Sequence, residues 1–213
     1  MRPNQETGLH TIKSPCGETN FGASQIKEVI EKLNSLLESG LKATIIITFP
    51  IWKTLKLGTH KSKNNLIKNL IKKGVEISDS ATRIMNELNF SLASVKTTVD
   101  IVNVSLVDLG LNKCAGATLN EICARANQSS LSVCPLEAVL QLRLRYNDQP
   151  EKERLNIIVA GAVTDPIDKL NVFRIGNDIP KDHRDDALWI DSYDNPLSRQ
   201  WHPYDQFVFI CRK

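Results

Sequence analysis

Between Ser132 and Pro150 the chain changes character. Upstream, apolar residues recur mostly at helical spacing, interrupted by one dense β-branched run. Downstream, short apolar runs alternate with turns rich in Asp, Asn and Pro. The switch predicts an α+β fold with N-terminal helices and mixed strands, followed by a C-terminal four-stranded antiparallel meander. Within the stretch, Pro135 suits a first helical position, where its missing N–H would have no partner. Glu137 in the first turn suits the positive end of the helix dipole. From Leu140 to Tyr146 the pattern alternates, with Leu140, Leu142, Leu144 and Tyr146 set against Gln141, Arg143 and Arg145. That period predicts an early end to the helix and a turn into the sheet. Asn147 to Pro150 is turn chemistry.

Upstream, residues 1–22 hold Pro3, Gly8, Pro15, Gly17 and Gly22 and read as a loose lead-in. A helix is predicted from the Ser24 cap, with Ile26, Val29, Ile30, Leu33, Leu36 and Leu37 on one stripe and Gly40 at its end. Thr44 to Phe49 reads as a buried strand, and Trp52 to Leu57 as a second one beyond Pro50. Ser62 caps a helix to Lys73, with Leu66, Ile67, Leu70 and Ile71 inward and Gly74 past its end. Ser78 or Asp79 starts a shorter helix. Lys96 to Val107 is apolar in both phases, the mark of a strand covered on both faces. Thr118 and Glu121 form a capping box. Downstream, strands are predicted at Leu155–Val163, Asn171–Ile175, Ala187–Tyr193 and Gln206–Cys211. The organisation expected is a lead-in over 1–22, a helix-rich part over 23–150 and a β part over 151–213 that continues the same core.

The apolar share of 41% lets 213 residues bury a sizeable core without disulfides or metal. The charge is uneven: residues 1–113 carry 15 Lys/Arg against 10 Asp/Glu, and residues 114–213 carry 12 against 14. Five cysteines (Cys16, Cys114, Cys123, Cys134 and Cys211) form no Cys-x-x-Cys pair and have no His at ligand spacing, so neither zinc nor another metal is expected. Their scatter suggests small core residues in a reducing compartment. Met1 to Phe21 contains no apolar block, so no secretory leader is expected. The longest apolar run, Ala43 to Trp52, falls short of the roughly 20 residues a membrane helix needs.

Two regions could carry function. Lys53 to Lys73 holds seven lysines and His60 with no acid. Lys61, Lys63, Lys68, Lys72 and Lys73 could contact nucleic acid or another anion by releasing counterions, although the run itself has little aromatic content beyond Trp52 and no arginine for base edges. The same lysines could equally form a solvated helix face. The second region is the acidic and aromatic segment 178–205. There His183, Asp185, Asp186, Trp201 and His202 could rim a ligand site or supply acid and base, or could simply serve turns. Cys134 precedes a helix whose N-terminus could lower a thiol pKa, but a packing role is the simpler reading. There is no nucleophile elbow, phosphate loop or dinucleotide fingerprint.

Trp52-Lys53-Thr54, Gly58-Thr59-His60-Lys61-Ser62, Gly116-Ala117-Thr118, Glu121-Ile122, Cys134-Pro135-x-Glu137, Leu142-Arg143-Leu144-x-Tyr146-x-Asp148-Gln149-Pro150 and the closing Phe207-Val208-Phe209 form a set of motifs. With them residues 52–213 resemble a group of small bacterial proteins of unassigned activity. The resemblance implies a soluble, cytoplasmic bacterial protein and no particular chemistry. The chain departs from that pattern at Arg154, where the group tends to have Trp, and near Val159–Val163, where the group tends to have a Glu.

With no catalytic signature, the leading expectation is a non-catalytic binding or interaction module without a cofactor. Its partner would be a nucleic acid or a protein rather than a membrane. The alternatives are a nucleic-acid-associated protein using the 53–73 lysines and a small hydrolase using the 178–205 turns.

Overall fold

The computed structural model describes residues 11–13, 31, 35, 46–88, 90–111, 115–160, 170–178, 187–193, 197 and 199–212. The chain divides into two compact units, Met1–Pro50 and Ile51–Lys213. In the first, β1 (Thr11–Lys13) pairs in parallel with β2 (Ile46–Thr48), Thr11 opposite Ile46. Thr11–Lys13 is thus a strand within the expected loose lead-in; the β-branched pair Thr11-Ile12 suits that role. The remainder of the 1–22 lead-in lies outside the described residues. Of the helix expected between Ser24 and Gly40, only Glu31 and Ser35 are described, and both are helical.

The second unit carries a mixed sheet of eight strands. These are β3 (Lys53–Leu57), β4 (Glu76–Ile77), β5 (Thr97–Ser105), β6 (Leu131–Ser132), β7 (Arg154–Val159), β8 (Asn171–Asp178), β9 (Ala187–Ser192) and β10 (Gln206–Cys211). Their order is β3-β5-β10-β7-β8-β9-β4, with β6 added on the end of β10. Pairing is antiparallel except at β10/β7 and β4/β9. Among the described residues, four helices accompany the sheet: α1 (Lys63–Lys72), α2 (Asp79–Glu87), α3 (Leu119–Gln128) and α4 (Leu136–Arg145).

The expected four-stranded meander needs correction. β7, β8 and β9 do form one, but β10 leaves it and lies between β5 and β7. Phe207, Val208 and Phe209 are all buried. A strand apolar in both phases needs cover on both faces, and the burial of these three consecutive residues shows that β10 has it. The outer edge of β9 takes β4 instead, Ile77 opposite Ile190. The same logic holds for β5, where Ile101 and Val102, facing opposite ways, are both at 0% exposure.

Local chemistry sets the helix starts. The Ser62 hydroxyl accepts from the Asn65 amide (3.2 Å), and that of Ser78 from the Ala81 amide (3.1 Å). Thr118 and Glu121 form the reciprocal capping box. Leu66 and Leu70 of α1 are fully buried, Ile67 is partly so, and Ile71 is exposed rather than inward.

The segment Leu140–Tyr146 is the second correction: it is helix to Arg145, not strand, and Pro135 stands at the cap, one residue before the first helical position. α4 packs against α1, β3, β8 and β9. Every residue from Leu136 to Arg143 is buried, including Glu137, Gln141 and Arg143. A helix enclosed on all sides has no amphipathic period to read. Its polar side chains are inside because they are hydrogen-bonded, and their spacing imitates strand alternation.

Candidate binding cleft

The turn from β3 into α1 passes over one side of α4. Gly58 has φ +66°, and a Cβ there would lie 2.7 Å from the Val95 carbonyl oxygen and 2.8 Å from that of Ala93. Only glycine allows this approach at this φ. The turn and the 93–95 segment are held by one carboxylate from below. Glu137, 2% exposed, accepts from the Gly58 amide at Oε1 (2.7 Å) and from the Ala93 amide at Oε2 (2.8 Å).

One helical turn on, Gln141 is fully buried. Its Nε2 lies 3.3 Å from Glu137 Oε1, 3.0 Å from Thr59 Oγ1 and 3.1 Å from His60 Nδ1. Its Oε1 accepts from an Arg145 guanidinium nitrogen (2.7 Å). Glu137, Gln141 and Arg145 thus form a ladder along one face of α4, bound to the 58–60 turn.

Above this ladder opens a cleft of about 370 Å³. One wall runs from Gly58 through His60, Lys61 and Ser62 to Lys63, the other from Phe90 to Ser94. The Lys63 ammonium stands 5.8 Å from the centre of the Phe90 ring, within cation–π range. Among the described residues, no carboxylate lines the cleft.

Of the lysines singled out from the sequence, the fold brings Lys61 and Lys63 together at this cleft. Lys68 and Lys72 are exposed one turn apart on α1. Lys73 turns elsewhere, its Nζ donating to the Leu144 carbonyl (3.1 Å). In the acidic segment, His183, Asp185 and Asp186 lie outside the described residues. Trp201 is fully buried, its ring 4.9 Å from Tyr193 and 5.2 Å from Phe207, edge-on to both. Its backbone bridges to Ala117. His202 is exposed, and its Nδ1 accepts from the Tyr204 amide (3.3 Å). Trp201 is therefore a core residue, while its neighbour His202 faces solvent in a turn.

The Cys134 thiol is buried against the Val208 carbonyl, and burial pushes its pKa up to about 12. A thiol held protonated is no nucleophile at neutral pH. Arg143, the other polar residue of α4, faces the opposite side. It is fully buried and donates to Gln149 Oε1, to the Tyr146 carbonyl and to the Gly176 carbonyl (3.2 Å). Burial lowers its pKa to about 10, against the raising pull of Tyr146 and Glu153, so it stays charged at neutral pH. The Tyr146 hydroxyl donates to Glu153 (2.8 Å), and Gln149 donates to the Glu153 carbonyl (3.1 Å). The Leu-Arg-Leu-x-Tyr-x-Asp-Gln-Pro motif is thus a clasp fastening the end of α4 to β8.

Phe90, Glu137 and Gln141 escaped the sequence reading as site residues. Phe90 lies far along the chain from the lysine turn, and the alternation of 140–146 places Gln141 in a strand. The signal available was the four-residue spacing of 137, 141 and 145. Among the described residues, no group of three or more His, Cys, Asp or Glu side chains could hold a metal ion, and no helix is long and apolar enough to cross a membrane. No protein-family model, curated protein or solved structure matches the chain.

Proposed function

We propose that the chain is a non-catalytic binding module for an anionic ligand, held at the 58–63/90–94 cleft and along the lysine row of α1. The observation that carries this is the lining of the cleft: His60, Lys61 and Lys63 all line it and, among the described residues, no carboxylate does. Behind them, Glu137 has each oxygen engaged by a backbone amide. Lys68 and Lys72 add exposed positive charge on the outer face of α1, roughly 140° and 180° around the helix from Lys63, and neither has a hydrogen-bond or ion-pair partner among the described residues. Phe90 beside Lys63 adds an aromatic ring to the charge, the combination used to hold single-stranded nucleic acid. That makes a single-stranded polyanion the ligand the geometry favours.

Fluorescence anisotropy with a labelled oligothymidylate tests the reading. Binding is expected at low salt, with affinity falling linearly on a double-logarithmic salt plot. The double variant Lys68→Ala/Lys72→Ala is expected to reduce that slope by about 1.4, since each contact to a single strand contributes about 0.7. Absence of binding at low salt would overturn the nucleic-acid assignment.

A further inference from the structure

We infer that the cleft takes a phosphoryl group, with His60 donating from Nε2–H to one of its oxygens while Lys61 and Lys63 supply the balancing charge. The inference deepens the anionic-ligand reading and rests on it. It starts from the hydrogen-bond logic beneath the cleft. A guanidinium only donates and a carboxylate only accepts. Gln141 touches Arg145 with one end of its amide and Glu137 with the other. Its oxygen therefore faces Arg145 and its NH₂ faces Glu137, which fixes the orientation of the amide.

That NH₂ also lies 3.0 Å from Thr59 Oγ1 and 3.1 Å from His60 Nδ1, and those two atoms are 3.1 Å apart. Glu137 takes one of its two hydrogens. If the other goes to Nδ1, the ring accepts from Gln141. If it goes to Thr59, the hydroxyl is free to donate to Nδ1. An N–H on Nδ1 could bond only the Thr59 oxygen, and it would stand 3.1 Å from the Gln141 NH₂, a second donor. Acceptance at Nδ1 satisfies all three groups without that donor–donor contact, so we place the proton of the neutral ring on Nε2. The buried amide occupies the Nδ1 side, which turns Nε2–H away from the core, and His60 lines the cleft. The site thus offers a fixed donor.

The remaining lining selects the acceptor. Lys61 and Lys63 are point charges, and Ser62, Ser91 and Ser94 stand around the same space. Among the described residues, no arginine lines the cleft to grip a planar carboxylate in two-point fashion. Donors arriving from several directions suit a tetrahedral group with several oxygens. Such a group could be a terminal phosphate on a nucleic-acid strand or free phosphate.

The test uses the full chain labelled with ¹⁵N-histidine. Ring-nitrogen spectra, with the His60 signals assigned by their loss in His60→Gln, are expected to show Nε2 protonated and Nδ1 bare. Inorganic phosphate is expected to shift the Nε2 resonance, and chloride at equal ionic strength is not. In parallel, a 5′-phosphorylated oligothymidylate is expected to bind about tenfold more tightly than its 5′-hydroxyl twin, the worth of about one charge-assisted hydrogen bond. His60→Ala should abolish that preference, and His60→Gln, which keeps a donor at the same reach, should retain part of it. A proton found on Nδ1 overturns the inference. So does an unmoved Nε2 signal with equal binding of both oligonucleotides, although binding itself would leave the lysine-row reading standing. A phosphate-induced shift without any oligonucleotide binding supports the inference with free phosphate as the source and removes the nucleic acid. No shift and no binding removes both.

Discussion

Glu137 is the residue whose loss should be felt most. Its two carboxylate oxygens accept from the Gly58 amide at 2.7 Å and the Ala93 amide at 2.8 Å, at 2% exposure. Bonds to a charged acceptor each contribute about 1.5–3 kcal/mol, the lower end applying where, as at half-buried Gly58 and Ala93, water can reach the freed amide. Glu137→Ala therefore costs about 3–6 kcal/mol in polar terms, plus about 0.8 kcal/mol for each buried methylene removed. Against a domain stability of about 5–15 kcal/mol, that is a large fraction. Glu137→Gln separates the two contributions. It keeps the methylenes and one acceptor oxygen but turns an amide donor toward a second donor, for a loss of about 1.5–3 kcal/mol. Urea unfolding of the full chain at neutral pH measures both, with the midpoint falling at constant m-value. Amide hydrogen exchange supplies a local readout, since Gly58 and Ala93 should lose protection before the strands do. If Glu137→Gln lay within about 0.5 kcal/mol of the parent, as ordinary surface substitutions do, the carboxylate would not be what joins the two walls of the cleft.

Two further outcomes follow from other parts of the second unit. Burial alone would raise the pKa of Asp191, but hydrogen bonds from Arg174, Ser78, the Ser192 backbone and Ser80 outweigh it and hold the carboxyl below its usual range. A pKa lowered by folding gives stability that is complete above the unfolded value, about 3.9, and is lost as pH falls through the folded value. The stability gap between the parent and Asp191→Asn should thus be widest near neutral pH and close in acid; a gap that persisted unchanged to pH 2 would refute the assignment. Gly116 has φ +80°, and a Cβ there would sit 2.4 Å from the Trp201 carbonyl oxygen. Gly116→Ala should cost more than the roughly 1–2 kcal/mol of a left-handed residue alone, because the Ala117–Trp201 bridge must also shift. Thermal unfolding followed by tryptophan fluorescence reads it, and a loss under about 1 kcal/mol would count against the packing.

What the sequence made legible was local. Ser62, Ser78 and Thr118 mark helix starts because one hydroxyl and one nearby amide suffice to make the cap. β5 was legible because a strand buried on both faces must be apolar in both phases. β10 shows the same composition and was equally visible as a strand, yet its neighbours were not. Its partners are β5, β6 and β7, and pairing across such separations depends on which faces need cover, not on any nearby residue. The acidic turns illustrate the reverse case. Trp201 and His202 are adjacent in the chain, but one packs on Phe207 and the other faces water. Adjacency in an extended segment sends side chains to opposite sides.

The misread helix and the missed site have one cause. Taken as a strand, Gln141, Arg143 and Arg145 share a face, which looks like a solvated edge. Taken as a helix, Glu137, Gln141 and Arg145 share one face, and Arg143, roughly 200° around from Gln141, takes the other. The two faces do different work. The first holds the 58–60 turn and sets the His60 ring, while the second ties α4 to Gly176 of β8 and to the Tyr146–Glu153 clasp. The spacing of four among Glu137, Gln141 and Arg145 therefore carried the information for one face of the helix, and Arg143, out of that register, carried it for the other. Burial on all sides makes such a helix unreadable by hydrophobic period, and it is also what lets α4 hold the walls of the cleft from below while gripping the sheet behind.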